Sequence, residues 1–422
     1  MRFVVCGLTR PGIQCLELIA QRGARPIVLL TAGNEEILPV AEVDLLAETY
    51  EIHRLTAREL GAAVAEANGV LGRVDDVCAV TTTFHLAAQL AASLAEVRAV
   101  PGPSPASIAL ALDKAQVRAR LDEVGLPNLA AVVLGPTDAA PTQLRYPVVA
   151  KPVNGFGKVG AAICADGVEL SRHLHEFRRD QRTWRAGVRE VVADSVIVEE
   201  LAVGDLYSAE IVADASNRQC VLAVRRKTGA LNPILELGST VPALLPPTDL
   251  GVLMDYATDV CAALGLSSGV FHVEVMWTAS GPRLIEVNPR IAGGAIPDLI
   301  GSCTGESLFE ALVATALGRP APQAPWVARH AVSHTFLAAA ERTLVRPDLD
   351  QGWFAKYLAE IDSGWSTLRP GTRLEAMSGN FDPFGVVRVR DTTPAAAEAR
   401  CVELLDRIED ELRFPLVRPS AR

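Results

Sequence analysis

At 422 residues the chain is long enough for two or three domains with substantial cores. A formal charge of −10 argues against nucleic acid as a partner, because phosphate backbones select basic faces. Hydrophobic residues make up 49%, yet charge or proline breaks the apolar runs within a dozen or so positions, too short for a membrane-crossing helix. The eight cysteines contain no C-x-x-C pair and read as small core residues in a reducing compartment, not as a metal site or disulfide framework. Met1 leads straight into a strand with no basic-then-apolar leader, so a soluble, cytoplasmic protein is expected.

From the start, Phe3-Val4-Val5-Cys6 predicts a strand, Gly7 to Gly12 a turn, Ile13 to Arg22 a helix and Pro26 to Leu30 a second strand. That is a parallel α/β unit. The Gly7-to-Gly12 spacing is wrong for a dinucleotide fingerprint, and no acid ends the second strand. Val77 to Val80 repeats the strand theme, and Thr81-Thr82-Thr83 precede an Ala-rich helix, Leu86 to Val97. The threonines cap that helix or, at a strand end, contact substrate; capping is favoured. Pro101-Gly102-Pro103-Ser104-Pro105 marks a boundary, and a helix follows with Asp113, Lys114, Arg118 and Leu121, ending at Gly125-Leu126-Pro127.

Tyr146 to Pro152 predicts a buried strand that delivers Lys151 at its end. Gly155, Gly157 and Gly160, with Lys158 among them, then allow a loop to approach phosphates and point backbone N–H groups at them. A glycine-rich hairpin with nothing bound is an equal alternative for that segment alone. Val196 to Gly204 is an apolar strand running into Glu199, Glu200, Leu201 and Ala202, which suits the edge of an adenine site.

Two further strands, Val270 to Met276 and Leu284 to Asn288, are joined by Trp277 to Pro282 with its Ser280-Gly281-Pro282 turn signal. Alternation places Glu286 and Asn288 on one face, and Glu274 joins them from the partner strand. Two carboxylates and an amide oxygen are hard ligands that suit Mg²⁺. Arg290, at the mouth of the strand after Pro289, is placed to hold a phosphoryl group. The alternative is a hairpin with a polar, solvated face. His272 shares the face of Glu274, as a supporting group or a core histidine. His173-x-His175 and His330-x-x-x-His334 lack acidic or sulfur ligands, so no zinc is assigned. Ala321 to Pro325 marks a last boundary, and Gly385 to Val389 with a helix from Pro394 to Leu412 closes the chain.

In this order the segments resemble the ATP-grasp superfamily, from about Pro101 to Gly318. The resemblance implies an α/β ATP-grasp fold with an N-terminal Rossmann-like parallel domain and a small glycine-loop lid domain. The implied division is 1–100 for the N-terminal domain, 101–126 for a connecting helix region and 127–198 for the lid. The large subdomain with the metal site would cover 199–320, with a C-terminal α/β subdomain, 321–422, packing on it. The resemblance also implies that Lys114 and Lys151 contact ATP phosphates beneath the 155–160 loop and that Glu199 to Ala202 line the adenine. Glu274, Glu286 and Asn288 would hold two Mg²⁺ ions, with Mn²⁺ able to substitute, and Arg290 would steady the transferring phosphoryl. Relatives commonly place an acid two residues after the glycine of the adenine segment, to hold the ribose; Leu206 stands there, leaving Asp205 as the substitute.

Three segments are similar to the amino-acid ligases of that superfamily: Val100 to Pro105, Ile234 to Ala243, and Asn288 to Gly294 continued by Thr304-Gly305. The implied reaction is ADP-forming: an amino-acid carboxylate becomes an acyl phosphate, and the amine of a second amino acid displaces phosphate. Glu236 would meet the amino group as charge partner or base, unless it is a structural acid on a strand edge. Ser239 stands where relatives often have His, and Gly293 and Gly294 would let backbone amides reach the acyl phosphate. Expected partners are amino acids and a second copy of the chain in a homodimer, with no membrane. The competing readings are a purine-pathway or carboxylase-type enzyme using a nucleotide amine or bicarbonate, and a nucleotide-binding regulatory subunit without chemistry.

Overall fold

The computed structural model describes residues 1–420 apart from 32, 35–37, 73–75, 142–143, 156, 182–191, 231 and 380–381. β1 (Arg2–Cys6), β2 (Arg25–Leu30), β3 (Glu51–Arg54) and β4 (Val77–Thr81) form a parallel sheet in the order β3-β2-β1-β4. β1 and β2 are buried almost throughout, as parallel strands covered on both faces must be. Thr81 ends β4, and neither it nor Thr82 or Thr83 caps a helix. The Thr83 hydroxyl accepts from the Thr9 N–H at 3.2 Å and that of Thr82 from the Phe84 N–H at 2.9 Å, whereas Phe84, at the N-cap, supplies no side-chain bond. Thr83 thus ties the loops after β1 and β4 together and Thr82 closes a local turn, uses of hydroxyls that compete with capping.

Helices Pro105–Leu112 and Lys114–Glu123 follow. Asp113 caps the second, its carboxylate accepting from the N–H groups of Ala115 and Gln116 at 2.9 and 3.0 Å, and so fixes Lys114 at the helix start. β5 (Ala131–Leu134), β6 (Val148–Pro152), β7 (Ala162–Cys164) and β8 (Val196–Glu200) form an antiparallel sheet ordered β5-β8-β6-β7. Helix Gly167–Asp180 covers it with Leu170, Leu174 and Phe177, which recur at the helical period on one face.

The largest sheet has eight antiparallel strands in the order β13-β12-β9-β10-β11-β14-β18-β16. They are β9 (Gly204–Ala213), β10 (Arg218–Thr228), β11 (Glu236–Val241), β12 (Gly269–Thr278), β13 (Gly281–Asn288) and β14 (Ala331–Leu337), then β16 (Ser363–Ser366) and β18 (Gly385–Asp391). A small separate pair consists of β15 (Thr343–Leu344) and β17 (Arg373–Leu374). The segment after 321 therefore continues this sheet, where the sequence suggested a subdomain packed upon it. β14 pairs with β11, Gly238 opposite Thr335, and covers what would otherwise be an open edge.

One face of the sheet packs Tyr207, Ile211, Val273, Val275 and Leu284 against helix Pro247–Ala263. Part of the other face, Val212, Val224 and Val270, meets helices Ile296–Thr304 and Leu308–Ala316, which also pack on the N-terminal unit. The rest of that second face carries the polar residues. Among the described residues no helix is long and apolar enough to cross a membrane.

Candidate active site between the lid and the large sheet

β12 and β13 pair as an antiparallel hairpin with Glu274 opposite Glu286 and His272 opposite Asn288. The strands run further than the turn signal suggested: pairing continues to Thr278 and Gly281, leaving a two-residue turn. A register shift between Glu274 and Val275 inserts Ile285 as an extra residue. This bulge lets Leu284 join the core while Ile285 and Glu286 both face the site. It also presents the Ile285 carbonyl to Lys151 Nζ at 3.2 Å and to the Arg118 guanidinium at 3.3 Å.

A cavity of about 310 Å³ opens between this hairpin and the lid. Lys114, Lys151, Gly155, Lys158, Glu274 and Glu286 line its polar part. Glu199 to Ala202, with Leu129, Leu206 and Met276, line the remainder. Ten of the residues singled out from sequence thus converge on one space. Gly157 does not line it, and Phe156 of the same loop lies outside the described residues. Asp205 does not line it either. Successive residues of β9 face opposite ways, so Leu206 meets the cavity while Asp205 pairs with Arg225 at 3.1 Å.

Charges around the cavity are tightly cross-linked. Glu199, 2% exposed, accepts from Arg118 Nε at 2.8 Å and pairs with Lys151 Nζ at 2.7 Å. Burial raises its pKa, but Lys151 and Arg118 outweigh that and hold it down at about 2. Its carboxylate therefore positions Lys151, while Glu200 on the opposite face accepts from the Ala130 N–H at 3.1 Å. Lys114 Nζ lies 3.0 Å from Glu286. Lys158, itself at φ +64°, reaches Glu236 at 2.7 Å and the Ile234 carbonyl at 2.8 Å. Arg226 bonds the other oxygen of Glu236 and lies 3.7 Å from Glu274. His272 sits between Glu210, at 2.8 Å, and Glu274, at 3.4 Å. Burial lowers the His272 pKa, but Glu210 more than reverses this and raises it to about 9. Glu236 stays ionised despite burial because Arg226 and Lys158 flank it.

Arg290 leaves the end of β13 and donates to the Asn288 amide oxygen at 3.2 Å and the Ile291 carbonyl at 2.7 Å. Gly293 and Gly294 follow it; Gly294 has φ +59°. Ser239 lies on β11 opposite Arg226, buried, its N–H donating to His334 Nδ1 at 3.2 Å. Sequence reasoning gave no role to Arg118, Glu210 or Arg226. The available signal was a charge inside an apolar strand, as Glu210 is between Ala209 and Ile211.

The hairpin's donor set fits Mg²⁺. Two facing carboxylates and an amide oxygen are hard ligands, and Lys114 and Arg290 now occupy them as cations would. Among the described residues no cluster of three or more His, Cys, Asp or Glu has metal-holding geometry, so the nucleotide and water would complete the shell.

A parallel N-terminal sheet, a four-stranded lid with lysines and a glycine loop, and a large sheet bearing paired acids make up an ATP-grasp fold. Residues 144–298 match the ATP-grasp domain family, so the chain contains an ATP-grasp domain. Its fold is that of the L-amino acid ligase from Bacillus licheniformis, with a TM-score of 0.75 at 18% identity over 96% of this chain and 97% of that one. Carnosine synthase 1 of Homo sapiens is 28% identical over 58% of this chain and 31% of its own length. Dapdiamide A synthase of Enterobacter agglomerans is 31% identical over 41% of this chain and 40% of its own. The chain thus spans less than half of either of these two relatives.

Proposed function

We propose that the chain is an ATP-dependent, ADP-forming ligase that joins the carboxylate of one amino acid to the amine of another through an acyl phosphate. The observation that carries this reading is the convergence of Lys114, Lys151 and Lys158 with the facing Glu274–Glu286 pair on one cavity. The TM-score of 0.75 to the L-amino acid ligase exceeds the 0.63–0.68 to purine-pathway and biotin carboxylase structures, and this supports the reading over a reaction of those kinds. The division into an N-terminal domain, connecting helix region, lid and large subdomain, with residues after 321 extending the large sheet, belongs to the same proposal, as do a cytoplasmic location and a homodimer.

Lys114 and Lys151 hold phosphate oxygens, and Leu201, Ala202 and Leu206 offer an apolar seat for the base. Glu274, Glu286 and Asn288 would hold Mg²⁺, which supplies charge neutralisation on the phosphates when bound. Arg290 binds the phosphoryl group as charge shifts toward the attacked carboxylate. Glu236 is held ionised by its neighbours, which suits a charge partner for an ammonium and not a general base, whose pKa must lie near the working pH.

The test is phosphate release from ATP with pairs of amino acids. The expected products are ADP and phosphate, with release stimulated by the second substrate. Glu286→Gln should lower turnover by at least about a hundredfold while the protein stays folded. AMP among the products, stimulation by bicarbonate or a ribonucleotide amine alone, or a fully active Glu286→Gln variant would overturn the reading.

A further inference from the structure

One buried polar side chain beside this site is left without a partner and has no role in the chemistry above. His85 stands in the short helical turn His85–Ala87 after β4, contributed by the N-terminal unit. It is 5% exposed, and neither ring nitrogen makes a hydrogen bond. Arg290, Glu286 and Lys114 are the charges that act on the ring, and the Asn288 amide lies beside it without closing a well-formed bond. His85 is not among the residues lining the nucleotide cavity, so it approaches the hairpin cluster from the N-terminal side.

The position is built, not incidental. Gly7, at φ +66°, lets the loop after β1 pack so close that a Cβ there would lie 2.7 Å from the Ala87 Cβ. A Cβ on Gly12 would strike the Thr83 hydroxyl at 2.3 Å, and Thr83 is bonded to Thr9. The turn carrying His85 is thus clamped at the C-terminal edge of the parallel sheet, where open α/β sheets bind ligands. Leaving a buried imidazole unpaired costs stability, and a hydrophobic ring of similar size would avoid that cost. An imidazole has at least one N–H to donate in either protonation state. Arg290 and Lys114 outnumber Glu286 among these charges, which favours an anion, and the cavity proposed for the nucleotide is lined without His85.

Building on the ligase reading, we propose that His85 is a substrate-binding residue that donates a hydrogen bond to the carboxylate of the acid to be phosphorylated and holds it against Arg290. The full-length protein is compared with His85→Phe, which keeps the ring and loses the donor, and His85→Gln, which restores an N–H. With the amino-acid pair that drives phosphate release, His85→Phe should raise KM for the acid about tenfold or more and leave KM for ATP within about twofold. His85→Gln should recover much of the loss. If bicarbonate drives release instead, the ligase reading fails, and the same three proteins are compared on bicarbonate, where the same pattern still supports the anchor. Thermal unfolding without ligands decides even if no substrate is found. His85→Phe should unfold at the wild-type temperature or above, because no bond is lost. An acid KM unchanged in His85→Phe, or an unfolding midpoint several degrees lower, would overturn the proposal.

Discussion

Lys151 shows how one side chain is set by several others. Its ammonium is buried, which by itself works against charge, and Glu199 opposes that effect from 2.7 Å. Arg118 holds the other oxygen of Glu199, so the carboxylate cannot turn away. Removing Glu199 then leaves two buried cations without their anion, a change that costs about 3–5 kcal/mol in buried pairs. Glu199→Gln should therefore lower thermal stability and raise KM for ATP. In a double-mutant cycle with Lys151→Met the two losses should be far from additive; independent effects would show that Glu199 does not position the lysine. Glu236 makes a different prediction. It docks Lys158, so Glu236→Gln frees a lysine at the cavity while weakening attraction for an ammonium. KM for ATP should stay level or fall, whereas KM for the amine-bearing substrate should rise about tenfold. A rise in KM for ATP alone would remove Glu236 from the amine site.

At the scale of the element, the sequence reveals what alternates and conceals what depends on neighbours. Glu286 and Asn288 were legible because a period of two puts them on one face, and Lys151 because an apolar strand ends on it. The bulge at Ile285 was not legible, since it arises from pairing with β12, and it is what aims a carbonyl at Lys151. Arg226 and Glu210 were missed for a similar reason: their meaning depends on strand order β12-β9-β10-β11, which no local pattern contains. Asp205 was set in place of Leu206 by chemistry, and strand alternation turns it away. Gly238 tests how tightly β11 is placed. It has φ +144°, and a Cβ there would lie 2.2 Å from the His334 carbonyl oxygen. Gly238→Ala should destabilise the protein by about 2–4 kcal/mol, since backbone must shift to admit it. An unchanged denaturation midpoint would mean that β11 and β14 are not so close.

In the molecule as a whole, the lid stands apart in its packing. Among the described residues its core, from Val132 to Val198, contains no side chain of the large sheet. Among the described residues the side-chain bonds that join the two are Lys151 to the Ile285 carbonyl and Lys158 to Glu236 and the Ile234 carbonyl, while Glu199 pairs with Arg118 of the connecting helix. One backbone bond, from the Lys114 N–H to the Val153 carbonyl at 2.9 Å, ties the lid to the connecting helix. Such an interface can open without exposing a core, and opening is what nucleotide entry requires. A bound triphosphate would add contacts to Lys114, Lys151 and the glycine loop at once, linking three units that now meet through ion pairs. Binding to the folded state alone stabilises it by about 2.7 kcal/mol at a ligand concentration a hundred times Kd. Limited proteolysis within 153–161 should therefore slow when ATP and Mg²⁺ are added. The slowing should disappear in Lys151→Met, which keeps the loop but loses a phosphate contact. Equal cleavage of the wild-type protein with and without nucleotide would show that this loop does not close over phosphates.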